Sequence, residues 1–450
     1  MESSTSSQPS YPTLSKLNRD LLSNPVEKSE AFAEHFAAVS TLPASDQVPP
    51  ISSSIFPAMR DIKISTRAVR KAFQAIDINK AVGPDEISPV VLKHCAPELA
   101  PVFCYLFNRS INDKVFPDLW KQAHITPIHK KGDRTDINNY RPISITSCIS
   151  KVFEGLVNTF ILLADQQYGF RRARSTGDLL TFVTHLWSSA IEAFGETRVV
   201  ALDISKAFDR VWHAGLLNKL PSYGFTPNLC SWINNYLSGR SLRVRVDGCL
   251  SSERKFNSGV PQGCVLSPTL FIIFINDLLS ITKSRLHAYA DDSTLHCSSI
   301  FRNQADCRNH LASYRINLST NIQTDIKSLE EWGVANRVSF NASKTNCITI
   351  STKKDRSWPD LSMSNNSLHE STSISMLGVT ISSSLSWIDH IQNIAKAAAR
   401  KLNYLFRAKH YFDPSSLHIL YKAQVRPLLE YSSHIWGATS KSSSKTLGKV

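Results

Sequence analysis

Residues 286–295 read LHAYADDSTL, and residues 198–203 read RVVALD. In the first stretch two strand-like halves flank Ala290-Asp291-Asp292-Ser293, which puts an acidic pair at the tip of a hairpin. The second is a short buried strand that runs out on Asp203, and apolar burial up to that point fixes where the carboxylate emerges. Taken singly, an Asp after a strand is usually a cap or turn residue, and an Asp-Asp pair on a loop is usually just solvated. Brought together, three carboxylates repel and raise one another's pKa unless a cation sits among them. Mg²⁺ suits such a set, because it takes oxygen ligands from one or two carboxylates and completes its shell with water and phosphate. Two ions roughly 4 Å apart serve an in-line displacement at phosphorus, so the constellation Asp203, Asp291, Asp292 points to nucleotidyl transfer, with Mn²⁺ as the alternative ion.

Outward from these motifs, strands and helices interleave, which is an α+β pattern. Upstream, residues 68–76 have helical spacing with Ser65 or Thr66 available as N-cap, and residues 90–95 and 99–111 continue the periodicity. HITPIHK (124–130) alternates like a strand, runs into the turn at Gly132-Asp133, and precedes an extended piece at 142–146. SLRVRVD (241–247) alternates strictly before Gly248, and a helix is expected over 268–279. Serine-rich residues 351–375 read as loops, followed by helices over 388–405 and 415–425. Residues 1–60, with Pro43, Pro49, Pro50 and Pro57, read as a flexible tether around a transient helix near 31–38. No internal repeat is visible.

The 450 residues hold 51 Lys and Arg against 37 Asp and Glu, a formal charge of +14, which draws polyanions. With 42% hydrophobic residues the chain can bury a large core of two or three lobes. Nine cysteines are scattered without zinc spacing or a C-x-x-C pair, which points to reduced intracellular thiols. The first residues carry no apolar leader, and the most apolar run, 270–275, is cut by Asn276 and Asp277, so no membrane partner is expected.

The order of LDISKAFDRVW (202–212), SGVPQGCVLSPTLF (258–271) and YADD (289–292) resembles the successive core motifs of reverse transcriptases. KAVGPDEIS (80–88), ITPIHKKGD (125–133), NNYRPISI (138–145), QYGFRRARST (167–176), SKTNC (343–347), MLGVTI (376–381) and LYKAQVRPLLEY (420–431) look like motifs of non-LTR (LINE-type) retrotransposons, with jockey-like elements the nearest likeness. The resemblance covers about residues 60–440. It implies a right-hand polymerase fold: a flexible segment 1–60, an N-terminal helical extension 61–120, interleaved fingers and palm 121–350, a loop-rich connection 351–375, and a primer-grip hairpin with helical thumb 376–450.

The same resemblance assigns roles. Asp203, Asp291 and Asp292 hold two metal ions. Lys130 and Arg141 grip the triphosphate, the latter with a fork suited to phosphate. Phe208 crowds the sugar 2′ position, although Ala207, Phe208, Val211 and Trp212 also form an apolar stripe that would suit plain core. Gln262 and Gly263 line the nascent base pair, with Gly259 beside them allowing close backbone approach. Lys344 stands as a candidate proton donor to the leaving pyrophosphate. Gly169, Phe170 and Arg171 touch the template, Leu377 and Gly378 the primer end. Lys396, Arg400, Lys401, Arg407 and Lys409 lie along the thumb.

The expected activity is RNA-directed DNA synthesis, with RNA template, DNA primer and dNTPs as partners and a cytoplasmic ribonucleoprotein and the nucleus as locations. The first 60 residues are too short for a nuclease, so nicking is expected from a separate endonuclease. Rivals are an RNA-directed RNA polymerase, against which Phe208 and SGVPQG speak, and a catalytically weak nucleic-acid-binding remnant or maturase-like protein. FEGLVNTFILLADQ (153–166) looks compressed and the end at SKTLGKV truncated, so a partial or decayed copy with short products is also expected.

Overall fold

Capping side chains set where the chain enters its helices. In the computed structural model, which describes residues 11–15, 21–43, 48–49, 57–161, 167–171, 173–355 and 357–437, Asn24 caps α1 (Pro25–Val39) and Ser65 caps α2 (Thr66–Gln74) by accepting from the Ala68 N–H at 3.2 Å. Helix α3 (Ala96–Asp113) leads into strand β1 (Gln122–His129), which turns at Gly132 into β2 (Tyr140–Ile145). Ser147 caps α4 (Cys148–Asn158), and a capping box between Ser175 and Asp178 opens α5 (Thr176–Glu192). Strand β3 (Glu196–Leu202) and strand β4 (Ser241–Val246) follow, then the wholly apolar run in α6 (Ser267–Ile275). Strands β5 (Arg285–Tyr289) and β6 (Asp292–Ser299) precede the long α7 (Gln304–Asn336) and β7 (Asn346–Ile350). A hairpin of β8 (Ser373–Met376) and β9 (Val379–Ser382) leads to α8 (Ile388–Ala408) and α9 (Pro414–Gln424).

The chain forms two units interleaved in sequence. One takes residues 1–164, 206–277 and 334–338. Its sheet runs β2-β1-β4 and on to two short strands, with β1 antiparallel to β2 and parallel to β4. One face of that sheet, carrying Ala123, Ile125, Tyr140, Leu242, Val244 and Val246, is covered by Phe32, Ala33 and Phe36 of α1. The expectation of a loose tether over 1–60 is therefore corrected for the stretch holding α1: Phe32 and Ala33 are fully buried, and an apolar face of that size does not stay in solvent. In the same unit, Phe107 of α3 stacks on Phe153 of α4 at 4.4 Å, with Phe116, Trp120, Trp232 and Tyr236 around them.

The other unit takes residues 165–205, 278–333 and 339–450, and its sheet order β7-β3-β6-β5 is antiparallel throughout. Leu179, Leu180, Val183 and Trp187 of α5 pack with Val199, Ile348 and Ile350, and the β8–β9 hairpin adds Ile374, Met376, Val379 and Ile381. Buried Glu196 at the far end of β3 is paired by the Arg315 guanidinium at 2.9 and 3.0 Å, so the charge does not enter the core alone.

The fold is thus mixed helix and sheet, as expected. Among the described residues no helix is long and apolar enough to cross a membrane. The compressed segment holding residues 162–166 and the terminal residues 438–450 lie outside the described residues.

Candidate active site

The pairing of β3 with β6 sets the carboxylates. Leu202 pairs with Ser293, so the next positions outward, Asp203 and Asp292, stand side by side across the strands. Asp292 also opens β6 opposite Tyr289, which leaves Asp291 in the two-residue turn with Ala290. The expected acidic tip is therefore split between a turn residue and a strand residue. The loop before β7 is stitched to the same strand end: Asp203 O accepts from the Asn341 N–H at 2.8 Å, and the Asp203 N–H points to Thr345 Oγ1 at 3.4 Å. That stitching brings Lys344 Nζ to 4.0 Å from Asp203 Oδ2, with the two side chains 58% and 40% exposed. Among the described residues no three His, Cys, Asp or Glu side chains gather about one point. Adjacent Asp203 and Asp292 nonetheless fit an ion that takes one or two carboxylates and fills its shell from water and phosphate.

The other unit carries the remaining nucleotide candidates. Phe208 opens a 3-10 turn (Phe208–Arg210), and its ring stacks on buried Phe271 of α6 at 4.4 Å with planes 24° apart, which leaves it little freedom to swing. The SGVPQG loop is held against that turn, Gly259 N donating to Val211 O and Val260 N to Phe208 O, each at 2.8 Å. Two glycines are required here. At Gly259, φ is +82° and a Cβ would lie 2.5 Å from Asp209 O; at Gly263, φ is +117° and a Cβ would lie 2.6 Å from Ser144 O. Gln262 is fixed at both ends, its carbonyl accepting from Ser144 N at 2.6 Å and its Nε2 donating to Asp209 Oδ1 at 2.7 Å. Burial raises the Asp209 pKa, opposed by the Gln262 bond.

Asp209 was not singled out from sequence, because nothing but its place beside Phe208 marks it. Glu154 was missed too. Fully buried in α4, it accepts from Val265 N at 2.8 Å and Leu266 N at 3.0 Å and anchors the start of α6 from behind. A lone Glu on an apolar helix was the available signal.

At the β1–β2 hairpin Ile128 pairs with Arg141, and Lys130 follows at its loop end, its N–H donating to Asn139 O at 2.8 Å. Arg141 and Ile143 alternate with Tyr140 and Ser144, so they lie on the face turned away from α1. In the β3-containing unit, Gly169 presses against the Ala290 turn, Phe170 has φ +57° and is 55% exposed, and Arg171 follows. Leu377 and Gly378 form the β8–β9 turn, both with positive φ, and Leu377 O accepts from the Tyr431 hydroxyl at 2.9 Å. The structure thus brings Asp203, Asp292 and Lys344 together with Asp291 in the adjoining turn, and separately joins Phe208 to the SGVPQG loop and Lys130 to Arg141.

Residues 128–381 match the family described as reverse transcriptase (RNA-dependent DNA polymerase). The RNA-directed DNA polymerase from mobile element jockey of Drosophila melanogaster is 28% identical over 444 residues, 93% of this chain and 47% of that protein. The probable RNA-directed DNA polymerase from transposon X-element of the same organism is 28% identical over 389 residues, 83% of this chain and 41% of its own length. A putative 115 kDa protein in the type-1 retrotransposable element R1DM, also from Drosophila melanogaster, is 22% identical over 440 residues, 95% of this chain and 40% of its own length. The chain spans about half the length of the curated relatives it matches.

Proposed function

The chain belongs to the reverse transcriptase (RNA-dependent DNA polymerase) family, and from that premise we propose that it is the polymerase region of a jockey-like non-LTR retrotransposon protein, adding dNMP to a DNA 3′ end on an RNA template. The observation that carries the proposal is the β3–β6 register, which sets Asp203 beside Asp292 with Asp291 in the turn between β5 and β6. On this reading residues 121–350 are fingers and palm, 61–120 the N-terminal extension and 376–450 the primer grip and thumb of a right-hand plan.

Two bound Mg²⁺ ions would neutralise phosphate charge and lower the pKa of the attacking 3′ hydroxyl, with Mn²⁺ able to substitute. Asp203, Asp291 and Asp292 would hold them. Lys130 and Arg141 steady the triphosphate, Phe208 excludes a 2′ hydroxyl, and Gln262 with Gly263 bounds the base pair. Lys344, tethered through the Asn341 and Thr345 contacts, delivers a proton to the departing pyrophosphate. Gly169, Phe170 and Arg171 meet the template, and Leu377 with Gly378 the primer end. A separate endonuclease supplies the nick, and the protein works in a cytoplasmic ribonucleoprotein and in the nucleus.

The test is extension of a primed poly(A) template by the purified chain with Mg²⁺ and with chelator. Wild type should extend only with the metal, and Asp291→Asn should lose at least about 100-fold in rate, a usual cost of damaging a metal site. Its template–primer affinity should stay within about 2-fold, because one charge barely alters the long-range field. Binding without extension by wild type would favour the nucleic-acid-binding remnant; equal use of rNTPs would favour an RNA polymerase.

A further inference from the structure

Gln167 is fully buried although its amide is polar. Its Oε1 accepts two backbone N–H groups, Gly169 at 2.9 Å and Ala290 at 2.9 Å. These two amides belong to different loops. Gly169 begins the segment Gly169-Phe170-Arg171, and Ala290 is the residue immediately before Asp291. The backbones are tied as well: Gln167 bridges to Ala288, and Tyr168 N donates to Ala288 O at 3.0 Å. Contact is close enough that a Cβ on Gly169 would stand 2.5 Å from Ala290 N and 3.1 Å from the Tyr289 carbonyl carbon.

Ala290 needs such a tie. It is a non-glycine residue with φ +58°, as the first central position of a II′-type turn demands, and that conformation is disfavoured for an L side chain. Its N–H points into the protein, where an unmet donor is costly. The Gln167 carbonyl meets that donor, and the same oxygen holds the Gly169 amide. A side-chain link, Arg171 Nη1 donating to Gln167 O at 3.4 Å, closes the loop on its own root.

We infer that Gln167 is a positioning residue that locks the Gly169–Arg171 loop to the turn presenting Asp291, so that the segment assigned to the template and the segment assigned to the metals hold one fixed geometry. The inference rests on the polymerase reading for the names of the two segments, but the lock itself is a property of the folded chain. A shift of the turn displaces the Asp291 carboxylate, and outer partners that orient metal ligands are generally worth about 10- to 100-fold in metal affinity or activity.

The test compares wild type, Gln167→Met, which keeps length and burial but removes the acceptor, and Gln167→Glu, which keeps an oxygen for both amides. Amide hydrogen exchange on the full chain without nucleic acid should quicken about 10-fold at Gly169 and Ala290 in Gln167→Met and stay slow in Gln167→Glu. In primer extension, Gln167→Met should need about 10-fold more Mg²⁺ for half-maximal rate, with added Mg²⁺ restoring kcat and the melting temperature nearly unchanged. A purely packing role would lower the melting temperature and leave the Mg²⁺ requirement alone. Unchanged exchange at both amides in a folded Gln167→Met, or equal loss of protection in Gln167→Glu, overturns the lock. Should Gln167→Met fail to fold, Gln167→Asn, one methylene short of both amides, is read by the same exchange criterion. A wild-type chain that binds but never extends a primer overturns the polymerase reading and leaves the exchange comparison standing.

Discussion

At Phe208 a single ring is backed by Phe271 at 4.4 Å, a contact that would make it a fixed wall against a larger sugar on the proposed reading. Phe208→Ala should raise rNTP use relative to dNTP by roughly 10- to 100-fold, the range that steric pockets command, in direct competition on one template. An unchanged ratio would return Phe208 to the core. One residue on, Asp209 orients the Gln262 amide at 2.7 Å. Asp209→Ala should free that amide and raise the dNTP KM about 10-fold, the worth of one buried hydrogen bond. Asp209→Asn, which keeps an acceptor, should do so by much less, and an equal effect of both variants would deny the orienting role. The strand-end positions of Asp203, Asp291 and Asp292 were legible from sequence because apolar strand runs stop or start beside them. Asp209, Glu154 and Gln167 were not, because their importance lies in burial and in partners distant in sequence, and neither is written in the local pattern.

Elements with a strong period were legible, and those with a thin apolar stripe were not. Strands β1, β3 and β4 and helix α8 stand where alternation and helical spacing placed them. Helix α7, 33 residues long, escaped notice because it is polar overall and buries a narrow line that includes Ile322, Ile326 and Leu329. Strand β6 hides a different feature, buried His296, whose ring stacks at 5.2 Å on half-buried His287 of β5. Burial first and His287 second push the His296 pKa down to about 3, so the folded chain keeps this ring neutral. The unfolded chain binds the proton near the ordinary value of about 6.5. Stability from His296 is therefore whole above about pH 6.5 and is lost progressively as pH falls toward 3. Between pH 6.5 and 5 the loss should be about 2 kcal/mol, at 1.36 kcal/mol for each unit. His296→Phe should flatten that part of the urea-denaturation profile without abolishing it, since His35, also lowered to about 4 by burial, titrates in the same direction. An identical slope in the variant would mean that the ring is protonated in the folded chain.

Over the whole chain, an excess of 14 positive charges is too diffuse to say where a polyanion lies, so composition gave the partner class and no surface. Unit boundaries were equally hidden: one falls between Ser205 and Lys206, inside the single motif that carries both Asp203 and Phe208. No change of composition marks that cut, because it depends on which distant segments each half packs against. Helix α8 gives the charge a definite address. It buries His390, Ile391, Ala395 and Ala398 and leaves Lys396, Arg400 and Lys401 exposed, an arrangement suited to phosphate contacts that carry no sequence information. If α8 lies along a duplex, each contact releases condensed counterions, and the dependence of log affinity on log salt steepens by about 0.9 per phosphate neutralised. Replacing Lys396, Arg400 and Lys401 together by Ala should therefore flatten the salt dependence of template–primer binding by roughly 2 to 3, alike for templates of any sequence, measured by fluorescence anisotropy across a salt series. Asp291→Asn should leave that slope untouched while abolishing synthesis. The two variants thus separate holding nucleic acid from acting on it, and a triple variant with the wild-type slope would move the duplex off α8.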